Sequence, residues 1–207
     1  HKINAFSNQI KKTTLTRSRL LNQYSSYLTK EYEKYGLIEA AEYIALSLID
    51  DSRCFLDSKT IPLLQQYKKM VVGNVAFDIV FHNNSQYKDL KELKATYKVV
   101  VFGASWCEAC KSELLQLAEY TRIFKEKYDA EIVFVSLDTN EDAYINYVTN
   151  FNFITDCDYK GWEGTNVKNY YVYASPSFFI LDNENKILAK PDTAISVAKW
   201  LSENNEN

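Results

Sequence analysis

The sequence predicts an α/β domain over residues 72–207, preceded by an all-helical segment over 1–71. Three observations carry this reading. Residues 99–110 read Val-Val-Val-Phe-Gly-Ala-Ser-Trp-Cys-Glu-Ala-Cys, a β-branched and aromatic run that stops at small residues and hands two thiols to a helix start. Strand and helix patterns then alternate from Tyr97 to Val148, as in a βαβ unit with a parallel strand pair. The helical spacing of the first part of the chain changes at Val72-Gly73 to period-two alternation.

In the leading segment, Ile3, Phe6, Ile10, Leu20, Leu21, Tyr24, Tyr27 and Leu28 recur at helical spacing among polar residues. Gly36 breaks the pattern, and Leu37, Ile38, Ala41, Ile44, Ala45, Leu48 and Ile49 mark a second helix. A third starts at Thr60, an N-cap with Pro62 in the first turn, where its missing N–H costs nothing. No chemical motif occurs there. The segment is expected to pack on the following domain or on a second copy, with a partner-docking module as the sharper alternative.

Val75, Phe77, Ile79 and Phe81 alternate as in a half-buried strand, followed by a polar turn at His82-Asn83-Asn84-Ser85 and a short helix over Asp89 to Ala95. The central strand runs from Tyr97 to Phe102. Leu114, Leu117, Ala118 and Phe124 share one face of a helix reaching about Tyr128. Glu131 to Leu137 is a second strand, and Thr139 with Asp142 resembles a capping box for a helix through Val148. Phe151 to Val172 is irregular. Ser177 to Leu181 and Lys186 to Ala189 form a hairpin whose turn uses Asn185 in the left-handed conformation, and Thr193 to Leu201 is a closing helix.

With 207 residues, a net charge of −3 and no basic run, the chain offers nothing to a polyanion, so neither nucleic acid nor an anionic membrane surface is expected as a partner. No apolar window reaches the length of a membrane span. Four cysteines, two of them in Cys-x-x-Cys, do not make a disulfide framework. A zinc site is not expected: there is no second Cys-x-x-Cys, and His1 and His82 are not at paired spacing. Lys111 after Cys110 excludes the Cys-x-x-Cys-His haem attachment. Copper on two thiolates stays open as the metal alternative.

At a helix start the first sulfur of Cys-x-x-Cys lies beside unpaired N–H groups and the positive end of the helix dipole, which favour its thiolate. The second returns to within bonding reach three residues later. Cys107 therefore attacks and Cys110 resolves, and no cofactor is required.

Trp-Cys-Glu-Ala-Cys after a strand, with Ala-Ser-Pro-Ser-Phe-Phe-Ile-Leu-Asp before a hairpin, resembles the thioredoxin superfamily, and within it the TlpA/ResA-type thiol-disulfide oxidoreductases of bacteria. The likeness covers about Val72 to Leu201 and implies a thioredoxin-like fold, a central mixed sheet flanked by helices. Gly73 to Ile79 is similar to the family's opening Gly-x-x-Ala-x-Asp-Phe pattern, without the proline usual after the alanine. By position, the resemblance makes Cys107 the exposed nucleophile, Cys110 the buried resolving thiol, Trp106 a flank of the disulfide, and Pro176 the cis-proline whose preceding Ser175 pairs with substrate backbone. A cis peptide without proline is costly, so Ser175-Pro176 is its sensible location.

Two departures matter. Val101 stands where thioredoxins keep a buried Asp, and Glu113, three residues after Cys110, offers a replacement proton acceptor, with a plain solvent-facing Glu as the alternative. Between the cysteines stand Glu108 and Ala109, without the proline of many relatives. Glu108 is expected to oppose the Cys107 thiolate, stabilising the disulfide and favouring reductant behaviour. Cys54 and Cys157 are expected as small buried residues, with a mutual disulfide as the alternative. Trp162 serves a substrate surface or a core.

The expected function is thiol-disulfide exchange with cysteine-containing proteins, recharged by an upstream redox partner, in an exported or periplasm-facing setting that leaves room for a membrane or lipid anchor outside these residues. A partner-binding scaffold with a thioredoxin-like recognition surface is the alternative, and peroxide reduction a third, disfavoured by the Trp-Cys-x-x-Cys context.

Overall fold

The computed structural model describes residues 69–83, 86–172 and 174–205. The chain divides into two units, His1–Val71 and Val72–Asn207. The expected N-terminal helices and Cys54 lie outside the described residues.

The second unit is built on a five-stranded sheet. Its strands are β1 (Tyr97–Gly103), β2 (Ala130–Ser136), β3 (Ile154–Cys157), β4 (Ser177–Asp182) and β5 (Ile187–Ala189), in the order β3-β2-β1-β4-β5. β1, β2 and β3 run parallel, while β4 is antiparallel to both β1 and β5. The apolar run of β1 has no alternation because a parallel strand in mid-sheet is buried on both faces. The helices are α1 (Glu108–Tyr128), α2 (Glu141–Val148), α3 (Thr165–Asn169) and α4 (Ala194–Asn204).

One face of the sheet carries Val99, Val101, Ile132, Phe134, Phe178 and Ile180, packed against Leu114, Leu117 and Phe124 of α1 and Val197 and Leu201 of α4. The other carries Phe102 and Phe179, which meet the buried ring of Tyr170 at centroid distances of 5.1 Å each. Val101 belongs to the first core, fully buried opposite Phe178, so no carboxylate stands at this point of β1.

Lys98 is the exception within β1. Its side chain is fully buried, and its ammonium donates to Leu90 O at 3.0 Å, Asn183 O at 3.2 Å and Asn185 Oδ1 at 2.6 Å. Burial lowers its pKa, since the three acceptors are neutral. Asn185 itself takes the left-handed conformation expected of the hairpin turn, with φ 64°.

Several expectations need correction. Residues 75–81 are not a strand: only isolated bridges form, Val75 with Lys186 and Val80 with Asp89, and Val75 points to solvent while Ala76 is buried. The helix over Asp89 to Ala95 is a single 3-10 turn, Leu90–Glu92, capped by the Asp89 carboxylate. The irregular stretch after Phe151 contains β3 and α3, too short for their periodicity to stand out. The N-cap of α2 is Asn140, which accepts from Ala143 N at 2.9 Å, and not Thr139.

Candidate active site

The carboxyl end of β1 delivers the cysteines. Gly103 closes the strand, residues 104–106 turn, and Cys107 is the N-cap of α1, its Sγ accepting from Cys110 N at 3.1 Å. Cys107 and Cys110 form a disulfide with Cα atoms 5.2 Å apart. At the head of a 21-residue helix, the Cys107 sulfur has the N–H groups and dipole that stabilise a thiolate once the bond opens.

The expectation of an exposed nucleophile beside a buried partner is met only in rank. Cys110 is fully buried and Cys107 is 8 % exposed, so both are largely covered. Part of the cover is the Ser175-Pro176 loop. That peptide is cis, and Ser175 O lies 3.6 Å from Cys107 Sγ. Ser175 and Pro176 are half-buried at the entrance to β4.

Two features behind the disulfide escaped the sequence reading. A Cβ on Gly103 would stand 3.1 Å from both Cys110 Sγ and Phe134 Cε2, so a side chain at the strand end would press on the second sulfur. Asp138, 1 % exposed, holds the loop ahead of Cys107. Its Oδ2 accepts Ser105 N at 3.0 Å and Ser136 Oγ at 2.6 Å, and its Oδ1 accepts Ser105 Oγ at 2.6 Å. The parallel register sets Gly103 beside Ser136, which is the signal that a polar residue just after β2 lies next to the cysteine loop.

The other predicted residues disperse. Glu113 is half-buried one turn along α1 from Cys110, and its Oε2 accepts Ala194 N at 2.7 Å, tying α1 to the start of α4. Glu108 is exposed and paired with Lys111 at 2.6 Å, a counter-charge the sequence reading left out, while Ala109 is exposed with no bulk beside the sulfurs. Trp106 and Trp162 are 54 % and 41 % exposed and lie with ring centroids 6.5 Å apart, so Trp162 is not a core aromatic. Cys157 is a buried free thiol ending β3, and burial pushes its pKa up to about 11. His82 leans on the buried Asp156 at 3.3 Å. Among the described residues no group of three or more His, Cys, Asp or Glu is arranged to hold a metal ion, and no helix is long and apolar enough to cross a membrane.

A family model described as Thioredoxin-like matches residues 95–187. The chain is 29 % identical over 124 residues to the thiol-disulfide oxidoreductase ResA of Bacillus thuringiensis subsp. konkukian, covering 58 % of this chain and 69 % of ResA. It is 30 % identical over 114 residues to nucleoredoxin of Danio rerio, covering 54 % of this chain and only 27 % of that longer protein. Among solved structures, a thioredoxin-like protein from Bacteroides caccae aligns with 97 % of this chain and 81 % of its own at a TM-score of 0.69 and 16 % identity. A thiol-disulfide oxidoreductase from Bacteroides fragilis aligns with 63 % of this chain and 98 % of its own at a TM-score of 0.56 and 20 % identity. These likenesses agree with a cysteine pair at the end of β1 facing a Ser-Pro loop: the domain has a thioredoxin-like fold and is similar to thiol-disulfide oxidoreductases of the ResA type.

Proposed function

We propose that this protein reduces disulfides in other proteins. The observation that carries the reading is the Cys107–Cys110 disulfide at the head of α1, with Ser175 O 3.6 Å from Cys107 Sγ where a partner's backbone can lie. In the reduced protein the Cys107 thiolate attacks one sulfur of a substrate disulfide, forming a mixed disulfide and expelling the other substrate sulfur as a thiolate. Cys110 loses its proton and attacks Cys107 Sγ, releasing the second substrate thiolate and leaving the Cys107–Cys110 bond. Two electrons pass to the substrate, whose sulfurs take up protons from water.

Glu113 accepts the Cys110 proton in this scheme. Its place one turn along α1 supports that role, and Ala194 N holds only one of its two oxygens. Trp106, Ser175 and Pro176 contact the substrate, and Glu108 and Ala109 set the potential. Substrates are cysteine-bearing proteins, and an upstream dithiol recharges the pair. The likeness to ResA supports a setting outside the cytoplasm.

Insulin reduction and a redox titration of the pair against glutathione test this. Wild type is expected to reduce insulin, Cys107→Ser to fail, and the potential to fall near thioredoxin's, about −270 mV. No activity in the wild type rejects the enzyme, and a potential near about −120 mV reverses its direction.

A further inference from the structure

We infer that Trp162, paired with Trp106, is a specificity-determining residue: the two indoles form a cradle beside Cys107 for an aromatic or large aliphatic side chain adjoining the cysteine of a substrate disulfide. This rests on the exchange activity proposed above and names the kind of substrate it favours.

Trp106, directly before Cys107, and Trp162 beside it leave two large ring surfaces half in water that a ligand side chain can cover. The segments that carry them meet at one loop. Ser105, immediately before Trp106, is fastened to Asp138 through its backbone and its hydroxyl. Trp162 sits in a 3-10 turn, Gly161–Glu163, that is seated on the same loop after β2: a Cβ at Gly161, where φ is +56°, would stand 3.1 Å from Thr139 Cγ2 and 3.5 Å from Leu137 O. At the other end of the turn, a Cβ on Gly164 would fall 2.8 Å from Asp158 Oδ2, so the backbone passes close against that carboxylate. Both tryptophans are therefore carried on segments that abut residues 137–139, with 6.5 Å between their ring centroids.

The two acidic residues flanking the tryptophans are matched in charge: Glu108 by Lys111, and Glu163, next to Trp162, by Lys168. What the site offers beyond the sulfurs and the Ser175 carbonyl is apolar ring surface tilted at 52°. A third ring or a branched aliphatic chain can pack against both indoles while its neighbouring cysteine reaches Cys107.

The test uses the full chain, reduced and freed of dithiothreitol, mixed by stopped flow with disulfide-linked dimers of a short peptide carrying Phe or Gly next to its cysteine, and with glutathione disulfide. Tryptophan fluorescence reports oxidation. Wild type is expected to react with the Phe peptide about tenfold faster than with the Gly peptide, a factor within reach of one aromatic contact. Trp162→Ala is expected to shrink the preference to about twofold or less, and Trp162→Phe to restore most of it. Equal wild-type rates with the two peptides overturn the inference, as does a Trp162→Ala protein slowed by one common factor on all three disulfides. A wild-type protein inert towards every disulfide rejects the exchange activity itself, a result distinct from a missing preference.

Discussion

Glu113 reaches from α1 to Ala194, its Oε2 accepting the first backbone N–H of α4 at 2.7 Å. One carboxylate therefore caps a helix and stands a turn from the resolving cysteine, and two substitutions separate these jobs. Glu113→Gln keeps an oxygen for Ala194 and loses the proton acceptor: stability falls by less than about 1 kcal/mol, while release of the mixed disulfide slows by about tenfold or more. Glu113→Ala slows release equally and costs about 1–2 kcal/mol. Urea unfolding and single-turnover kinetics read the two effects. If the Gln protein resolves at the wild-type rate, Glu113 is a cap alone.

Gly103→Ala puts a methyl 3.1 Å from Cys110 Sγ and from Phe134. The expected cost is about 1–3 kcal/mol, as for other overpacked cores. Denaturant midpoints of the oxidised and reduced protein measure it, and an Ala variant as stable as wild type in both forms shows that the strand end can shift.

Glu108→Gln removes a carboxylate one residue from Cys107 and leaves the Lys111 ammonium without its partner. Both changes favour the thiolate, so the Cys107 pKa is expected to drop, by less than about one unit because the pair is exposed, and by less still in high salt. Alkylation rate against pH checks this. A pKa that holds or rises removes Glu108 from the residues that tune the pair.

Alkaline pH is expected to unfold the protein early. Burial raises the pKa of Tyr144 to about 12 and of Cys157 to about 11, and raises Tyr147 and Tyr170 as well. In the unfolded chain these groups release protons near their ordinary values of 10.0 and 9.0. The folded protein binds more protons in this window, so the stability they contribute is complete below about pH 9 and is lost as pH rises through about 12. Lys98, whose pKa is lowered by burial, acts in the opposite sense but is one group against four. The urea midpoint should fall between pH 8 and pH 10.5, and peptide mapping after iodoacetamide at pH 8 should find Cys157 modified only in urea. A flat midpoint, or ready alkylation of the native protein, contradicts this.

What could be read ahead of the structure follows from the range of the interactions concerned. The run into Cys107, the long stripe of α1 and the Asn185 turn are local patterns, and each element formed within a few residues of its expected bounds. Residues 75–81 alternate in the sequence, yet no neighbouring strand extends along them to complete a ladder, so alternation alone did not make a strand. β3 is four residues long, and only its pairing with β2 defines it. The site divides in the same way. Cys107 and Cys110 announce themselves by residue type and spacing, and Pro176 by the resemblance of the motif around it. Asp138, Gly103 and the approach of Trp162 to Trp106 depend on register and on loops that meet only after folding. The Lys111 partner of Glu108 was within reach, since residues three apart on a helix are neighbours.

The clamp between Asp138 and Ser105 does not involve either sulfur. Opening the Cys107–Cys110 bond breaks none of these hydrogen bonds. The oxidised and reduced proteins are therefore expected to share one frame around residues 104–106, which amide chemical shifts recorded in the two redox states would check.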